Sequence, residues 1–336
     1  MKQLKVVQIG IGHDHAMPIL NTLLGMGGVY EVAGLIPTEQ DRRDFPDRID
    51  LMAEKTAILT MDDLNRIRPE AVIVETEDEY LTKYAQLAAD KGYPLHMDKP
   101  GAPNLAAFEK LIQTVKAKQL PFHTGYMYRY NPVVMQTLAK IKQGELGEIY
   151  SIEAHMNCLH NREKRAWLGK YKGGMTFYLG CHLIDIIYSV LGEPQEVIPL
   201  NACSHFDGVE SEDVGFVAFR YPNGVSFIKT SAVEAGGFTR RQIVFCGQRG
   251  TVEIRPTEEY ESDLVLMHTR FREVYNTDND IEGWPTNGKS GCSETFDRYE
   301  SMMADFAAIV RHERQNACSY DYELGLFRLI QKAIGA

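Results

Sequence analysis

Between Leu4 and Lys118, short apolar runs alternate with longer stretches whose apolar residues recur every three or four positions. The runs are Leu4–Ile9, Val32–Ile36, Ala71–Val74 and Pro94–Met97, and helical patterns occupy Gly12 to about Met26, Tyr80–Lys91 and Leu105–Lys118. Short β-branched runs separated by helix-length segments predict parallel strands covered on both faces. Right-handed crossovers then give a Rossmann-type doubly wound sheet, with its ligand crevice at the carboxyl ends of the strands.

Beyond about residue 145 the period changes to two. "VGFVAFRYPNGVSFIKTSA" (214–232) reads as a hairpin turning at Asn223-Gly224, and "RRQIVFCGQRGTVEIRP" (240–256) as a second one. The chain is therefore expected to be an α/β protein. Residues 1–124 form a dinucleotide-binding domain, and residues 125–336 an α+β substrate-binding and oligomerisation domain with a large, mainly antiparallel open sheet. The last helical pattern, Tyr322–Ile334, is expected to pack back on the first domain. An open sheet face is normally covered, so a homodimer or homotetramer is expected through it.

Composition narrows the function classes. A chain of 336 residues with net charge −10 has no basic run to meet phosphates, so no nucleic-acid partner is expected. No apolar run approaches a membrane span, and "MKQLKVV" becomes strand-like too soon for a signal peptide. The six cysteines are scattered without a CxxC pair, which favours reduced thiols. A cytoplasmic protein with no membrane contact is expected.

"VVQIGIGHDHA" (6–16) admits three readings. In one, Gly10 makes a tight turn and Gly12 lets backbone amides approach a pyrophosphate, with His13 and His15 beside the cofactor. In another, His13 and His15 are metal ligands. Residues two apart at a helix start diverge, however, and no third ligand stands nearby in sequence, so no metal is expected. The third is a plain glycine-rich turn. The position directly after the first strand favours the dinucleotide, although His15 replaces the usual third glycine. The second strand ends in Ile36-Pro37-Thr38 without an acid. Thr38 is a candidate for a ribose hydroxyl, Arg42 and Arg43 for a 2′-phosphate, and Glu39 and Asp41 oppose the latter. NAD or NADP stays open.

Three further motifs follow in order: "HMDKPG" (96–101), "GYMYRYNP" (125–132) and "GGMTFYLGCHLIDII" (173–187). With the glycine turn, they make the chain resemble the Gfo/Idh/MocA oxidoreductases over nearly its whole length. The resemblance implies that Lys99 sits between nicotinamide and substrate, donating to the reacting oxygen and the cofactor ribose. It also implies a cis bond before Pro100, with Pro100 beside the cofactor. His182 matches the family's catalytic histidine, and Asp185, three residues on, is expected to orient it or bind a substrate hydroxyl. Tyr178 replaces the aspartate that many polyol dehydrogenases place there; it either donates to substrate or lines the pocket. Thr76, between Glu75 and Glu77, falls where the family's loop meets the cofactor. Arg129, Tyr126, Tyr128 and Trp167 are candidate substrate contacts, and Arg165 belongs with Trp167 to the expected substrate loop.

The expected function is NAD(P)-dependent hydride transfer to or from a secondary hydroxyl of a sugar, polyol or glycoside. Two rivals stand beside it. One is an enzyme with tightly bound NAD whose transient oxidation drives elimination, hydrolysis or epimerisation of a glycoside. The other is a non-catalytic cofactor-binding sensor.

Overall fold

A computed structural model describes residues 2–101, 104–261, 265–276 and 288–336. The chain divides into two units, residues 1–127 with 299–327 and residues 128–298 with 328–336.

In the first unit the buried apolar runs become the parallel strands β1 (Leu4–Ile9), β2 (Tyr30–Ile36), β3 (Ala71–Val74), β4 (Leu95–Met97) and β5 (Phe122–Thr124), in the order β2-β1-β3-β4-β5. Every residue of β3 and β4 is buried, as a sheet covered on both faces requires. Val7, Ile9, Val72, Val74, Leu95 and Met97 share one core with the helices Leu81–Asp90 and Leu105–Ala117. The strand order reverses between β1 and β3, so the crevice of a doubly wound sheet lies beyond Ile9 and Val74. Helix Glu300–Val310 belongs to this unit and packs against helix Ala16–Gly25.

The second unit is built on β6 (Ile149–Asn157), β7 (Glu196–Ala202), β8 (Val214–Tyr221), β9 (Gly224–Ser231), β10 (Gln242–Gly247), β11 (Gly250–Ile254), β14 (Arg270–Tyr275) and β15 (Lys289–Cys292). A separate small sheet holds β12 (Glu259–Tyr260), β13 (Leu266–His268) and β16 (Phe296–Asp297). The large sheet runs β15-β14-β11-β10-β6-β9-β8-β7, and every neighbouring pair is antiparallel except β6 with β9.

Both expected hairpins form, but the first turns one residue earlier than its dipeptide suggested. Tyr221 pairs with Gly224, so Pro222 and Asn223 make the loop. Gly224 instead begins β9, where a Cβ would lie 1.9 Å from the Tyr150 carbonyl oxygen. The glycine serves the close approach of β6 and not the turn.

Candidate functional site

The switch between β1 and β3 sets three strand ends side by side. β1 runs into Gly10-Ile11-Gly12-His13, β3 into Glu75-Thr76-Glu77-Asp78, and β4 into Asp98-Lys99-Pro100. Gly10 has φ +89°, and a Cβ on it would lie 2.5 Å from the Thr76 side chain. A Cβ on Gly12 would lie 2.7 Å from the Glu77 backbone nitrogen. Both glycines thus let the first turn lie directly on the loop after β3. Helix Ala16–Gly25 starts from this turn with no side-chain cap and no acid in its first turn, which suits an anion at its N-terminus.

His13 and His15 do not diverge. His15 Nδ1 lies 2.9 Å and His13 Nδ1 3.1 Å from the same oxygen, Asp98 Oδ2. The helix begins only at Ala16, so the two histidines occupy a turn, within which the His15 amide donates to His13 Nδ1 at 3.2 Å. The third group that sequence spacing failed to find is Asp98, 83 positions beyond His15. The imidazole of His15 fills the third-glycine position from inside, and both rings are turned onto Asp98.

Around Asp98 the polar groups are almost wholly buried. Glu75 stands 3.8 Å from His13 Nδ1 and 3.7 Å from His96 Nε2, and Asp78 stands 3.8 Å from His13 Nε2. His96 Nδ1 meets His123 Nδ1 at 2.7 Å, a contact that needs one proton between them. Burial pushes Glu75 well above the usual carboxylate range, and the charge of Asp98 adds to it. Burial also opposes ionisation of Asp98, but His13 and His15 outweigh it and hold Asp98 well below that range. Burial lowers both His15 and His96 to about 4 against the pull of Asp98. The site thus keeps one carboxylate charged and its neighbour neutral.

Lys99 is buried, its amide donates to Asp98 Oδ1 at 2.6 Å, and its bond to Pro100 is cis, as the motif led us to expect. Tyr126 lies buried just beyond β5 in the same unit. Thr38 is a helix cap: its hydroxyl accepts from the Asp41 amide at 3.0 Å and donates to Asp41 Oδ2 at 2.8 Å. The acid that seemed missing after β2 is Asp41. Its Oδ2 accepts from the amides of Thr38 at 2.8 Å and Ile11 at 3.3 Å, and its Oδ1 lies 3.2 Å from where a Cβ on Gly12 would stand. Burial lifts its pKa. The signal for it was present in the sequence as a capping pattern, Thr38 followed three residues later by Asp41.

In the second unit, Thr176–Gly180 is a π-helical turn that runs straight into helix Cys181–Leu191. The Thr176 hydroxyl donates to Asn201 Oδ1 at 2.7 Å and anchors the turn on the sheet. Such turns recur at functional sites because they displace side chains from the regular helical register. His182, on the first turn of the helix, is 1% exposed, and Tyr128 meets its ring edge-on with centroids 4.9 Å apart. Behind Tyr128 lies a buried ion network: Arg241 Nη1 is 3.4 Å from the Tyr128 hydroxyl, while Arg241 and Arg298 reach Glu258 at 2.5 and 2.6 Å. Both oxygens of Asp185 accept from Arg129, at 2.9 and 2.8 Å, in a fork geometry. Trp167 and Tyr178 meet edge to face at 5.3 Å, and the Lys164 ammonium lies 3.7 Å from one ring centroid and 4.4 Å from the other. Lys164 carries no motif and was not singled out by sequence. Arg165 is fully buried on the Phe206 carbonyl and Asp207. Lys99 belongs to the first unit and His182 to the second.

Residues 139–321 match the Gfo/Idh/MocA oxidoreductase family, C-terminal alpha/beta domain. A 2,7-anhydro-N-acetylneuraminate hydratase of Escherichia coli is 25% identical over 218 residues, covering 62% of this chain and 57% of that protein. The chain spans 36–57% of the length of the first curated relatives that it matches. An aldose-aldose oxidoreductase of Caulobacter crescentus has the same fold, with a TM-score of 0.77 and 17% identity over 99% of this chain and 98% of that one. A UDP-N-acetylglucosamine 3-dehydrogenase of Acidithiobacillus ferrooxidans superposes with a TM-score of 0.76 and 15% identity over 100% of this chain and 98% of that one. Among the described residues no helix is long and apolar enough to cross a membrane.

The network behind Tyr128 has a pH signature. Burial alone would raise the pKa of Glu258, but Arg298 and Arg241 outweigh it and bring it below the usual value. The stability it lends is fully present above the unfolded value of about 4.3 and is lost as pH falls through the lower folded one. Urea unfolding followed from pH 7 to pH 3 should show this acid-side loss in the wild type and a flatter curve in Glu258→Gln. The substitution itself should cost about 3–5 kcal/mol at neutral pH, because it strands the buried Arg241 guanidinium and the partly buried one of Arg298.

Proposed function

The chain belongs to the Gfo/Idh/MocA oxidoreductases, and from that premise we propose that it is an NAD-dependent dehydrogenase acting on a secondary hydroxyl of a sugar, polyol or glycoside. The observation that carries the reading is the joining of the glycine turn and the Lys99 turn through one carboxylate: His13 and His15 hold Asp98 Oδ2 while the Lys99 amide holds Oδ1. A nucleotide turn and a catalytic ammonium must keep a fixed separation for hydride chemistry, and a shared buried anion fixes it.

The residues present fit a dinucleotide. Gly10 and Gly12 bring backbone against Thr76 and Glu77, and the next helix starts without a cap. Asp41, beside Gly12, offers a carboxylate to ribose hydroxyls. A second acid, Glu77, adds to the negative field there and disfavours a 2′-phosphate, so NAD is preferred to NADP. When bound, the nicotinamide accepts or returns a hydride. The Lys99 ammonium donates to the reacting oxygen and stabilises its developing charge. His182 takes the hydroxyl proton, with the edge of the Tyr128 ring setting its plane. Asp185 holds Arg129 rigid as a polar contact for substrate. Trp167 and Tyr178 present ring faces suited to sugar C–H groups.

A second reading has its own support. One matched relative is named a hydratase, which makes no net change in oxidation state. Under this reading the same residues serve a transient oxidation, and nicotinamide returns to its starting redox state in every turnover. Ile198, Leu200 and Phe216 expose an apolar stripe on β7 and β8, and we place a second copy of the chain there.

Three measurements test these statements. On a panel of sugars and polyols, Lys99→Met and His182→Ala should each lower kcat/KM by about 10²-fold or more, the scale of a lost acid–base group; activity within a few-fold of wild type would refute their roles. Asp41→Ser should weaken NAD by roughly tenfold and improve NADP relative to it, as read by fluorescence titration; an unchanged ratio assigns the preference elsewhere. Sedimentation should show a defined oligomer that Leu200→Glu dissociates.

A further inference from the structure

We propose that His13, His15, Asp98 and Glu75 form a binding site for a divalent transition-metal ion of the zinc class, closed by protein ligands on every side. The proposal does not rest on the reaction proposed above. Three donor atoms, one each from His13, His15 and Asp98, lie within 4.8 Å of one another, and all three residues are buried. Zinc bonds to nitrogen and oxygen of about 2.0–2.1 Å imply tetrahedral edges of about 3.3 Å. The edges from Asp98 Oδ2 to His13 Nδ1 and His15 Nδ1 are 3.1 and 2.9 Å, so the cluster needs to open by only a few tenths of an ångström.

Glu75 is the independent sign of a ligand. It is 0% exposed, its carboxyl lies against that of Asp98, and its Oε2 stands 3.8 Å from His13 Nδ1. Buried carboxylates are ordinarily satisfied by donors or by a cation. A divalent ion held by His13, His15 and Asp98 draws Glu75, which stands outside that converging trio, inward by a side-chain shift to complete a tetrahedral set. It also neutralises the two carboxylates without requiring both buried histidines to be protonated. The surroundings match what supports histidine and carboxylate ligands elsewhere. Asp78 stands 3.8 Å behind His13 Nε2, and His96 stands 3.7 Å behind the far oxygen of Glu75.

Four protein ligands leave no open position, so the ion is structural and activates no water. It clamps the ends of β1, β3 and β4, whereas the sequence spacing of His13 and His15 alone gives no hint of this. Ions of this class are selected by imidazole and carboxylate donors together, in contrast to the oxygen-only sets of calcium and magnesium.

The test uses the full-length chain, freed of metal by chelator dialysis and titrated with zinc chloride against a chromophoric chelator. The wild type should take up one zinc per chain, with cobalt substitution giving the intense visible bands of a tetrahedral site. Glu75→Gln should bind roughly 10–100-fold more weakly, and His15→Gln and Asp98→Asn more weakly still. Zinc should raise the Tm of the metal-free wild type more than that of Glu75→Gln. If Asp98→Asn does not fold, the other two variants decide. No uptake by the wild type, or uptake that all the folded variants share equally, overturns the proposal.

Discussion

The Asp98 carboxylate is the point on which the first unit's site depends. One of its oxygens meets His15 Nδ1 at 2.9 Å with His13 Nδ1 3.1 Å away, and the other accepts from the Lys99 amide, inside a buried region. An isolated ionised carboxylate there would cost several kcal/mol in lost hydration, so it persists only while its donors stay in place. That requirement runs in both directions. The carboxylate needs the turn after β1, and the turn after β1 is held at a fixed distance from the end of β4 by the carboxylate. A parallel sheet sets strand spacing through its ladder, but nothing in the ladder fixes how the loops beyond it lie. Asp98 supplies that missing restraint where chemistry needs it most.

Charge separation among neighbouring acids follows from the same burial. Glu75 and Asp98 share one enclosure, and two like charges so close are not both ionised without a counter-ion. The histidines stand nearer Asp98, so the charge settles there and Glu75 takes the proton. Asp41 shows the opposite solution at the rim of the glycine turn. It has backbone donors from Ile11 and Thr38 on one oxygen and presents the other beside Gly12. One acid therefore serves the interior and another the crevice, although both follow strands of the same sheet.

Local pattern made the architecture legible, and distance hid the contacts. Alternating short apolar runs and helices gave the parallel sheet because β1, β3 and β4 are buried at almost every position, whereas the edge strand β2 exposes Glu31 and the three-residue β5 was too short to read. The period-two segments gave the hairpins because those strands bury one face and leave the other more open, with the turn at Pro222-Asn223 misplaced by one because Gly224 answers to Tyr150 on another strand. Lys99 and His182 were visible through motifs. What stayed hidden was every pairing across long sequence separations: His15 with Asp98, Arg129 with Asp185, and Tyr128 with the Arg241–Glu258 pair. The divergence expected of His13 and His15 assumed a helix that in fact starts only at Ala16, after both of them. A turn has no fixed angular increment per residue, so spacing arguments lose their force there.

Tyr178 is the departure with the clearest chemical consequence. An aspartate at that place would offer an imidazolium a compensating charge after proton transfer. A phenol offers at most a hydrogen bond, and Tyr178 is already committed to Trp167 and to the Lys164 ammonium across its ring. His182 is therefore better suited to passing a proton onward than to holding one. Under the proposed reading, the aromatic wall gained in exchange adds apolar area for a substrate to cover, which favours binding by shape over electrostatic storage of the proton.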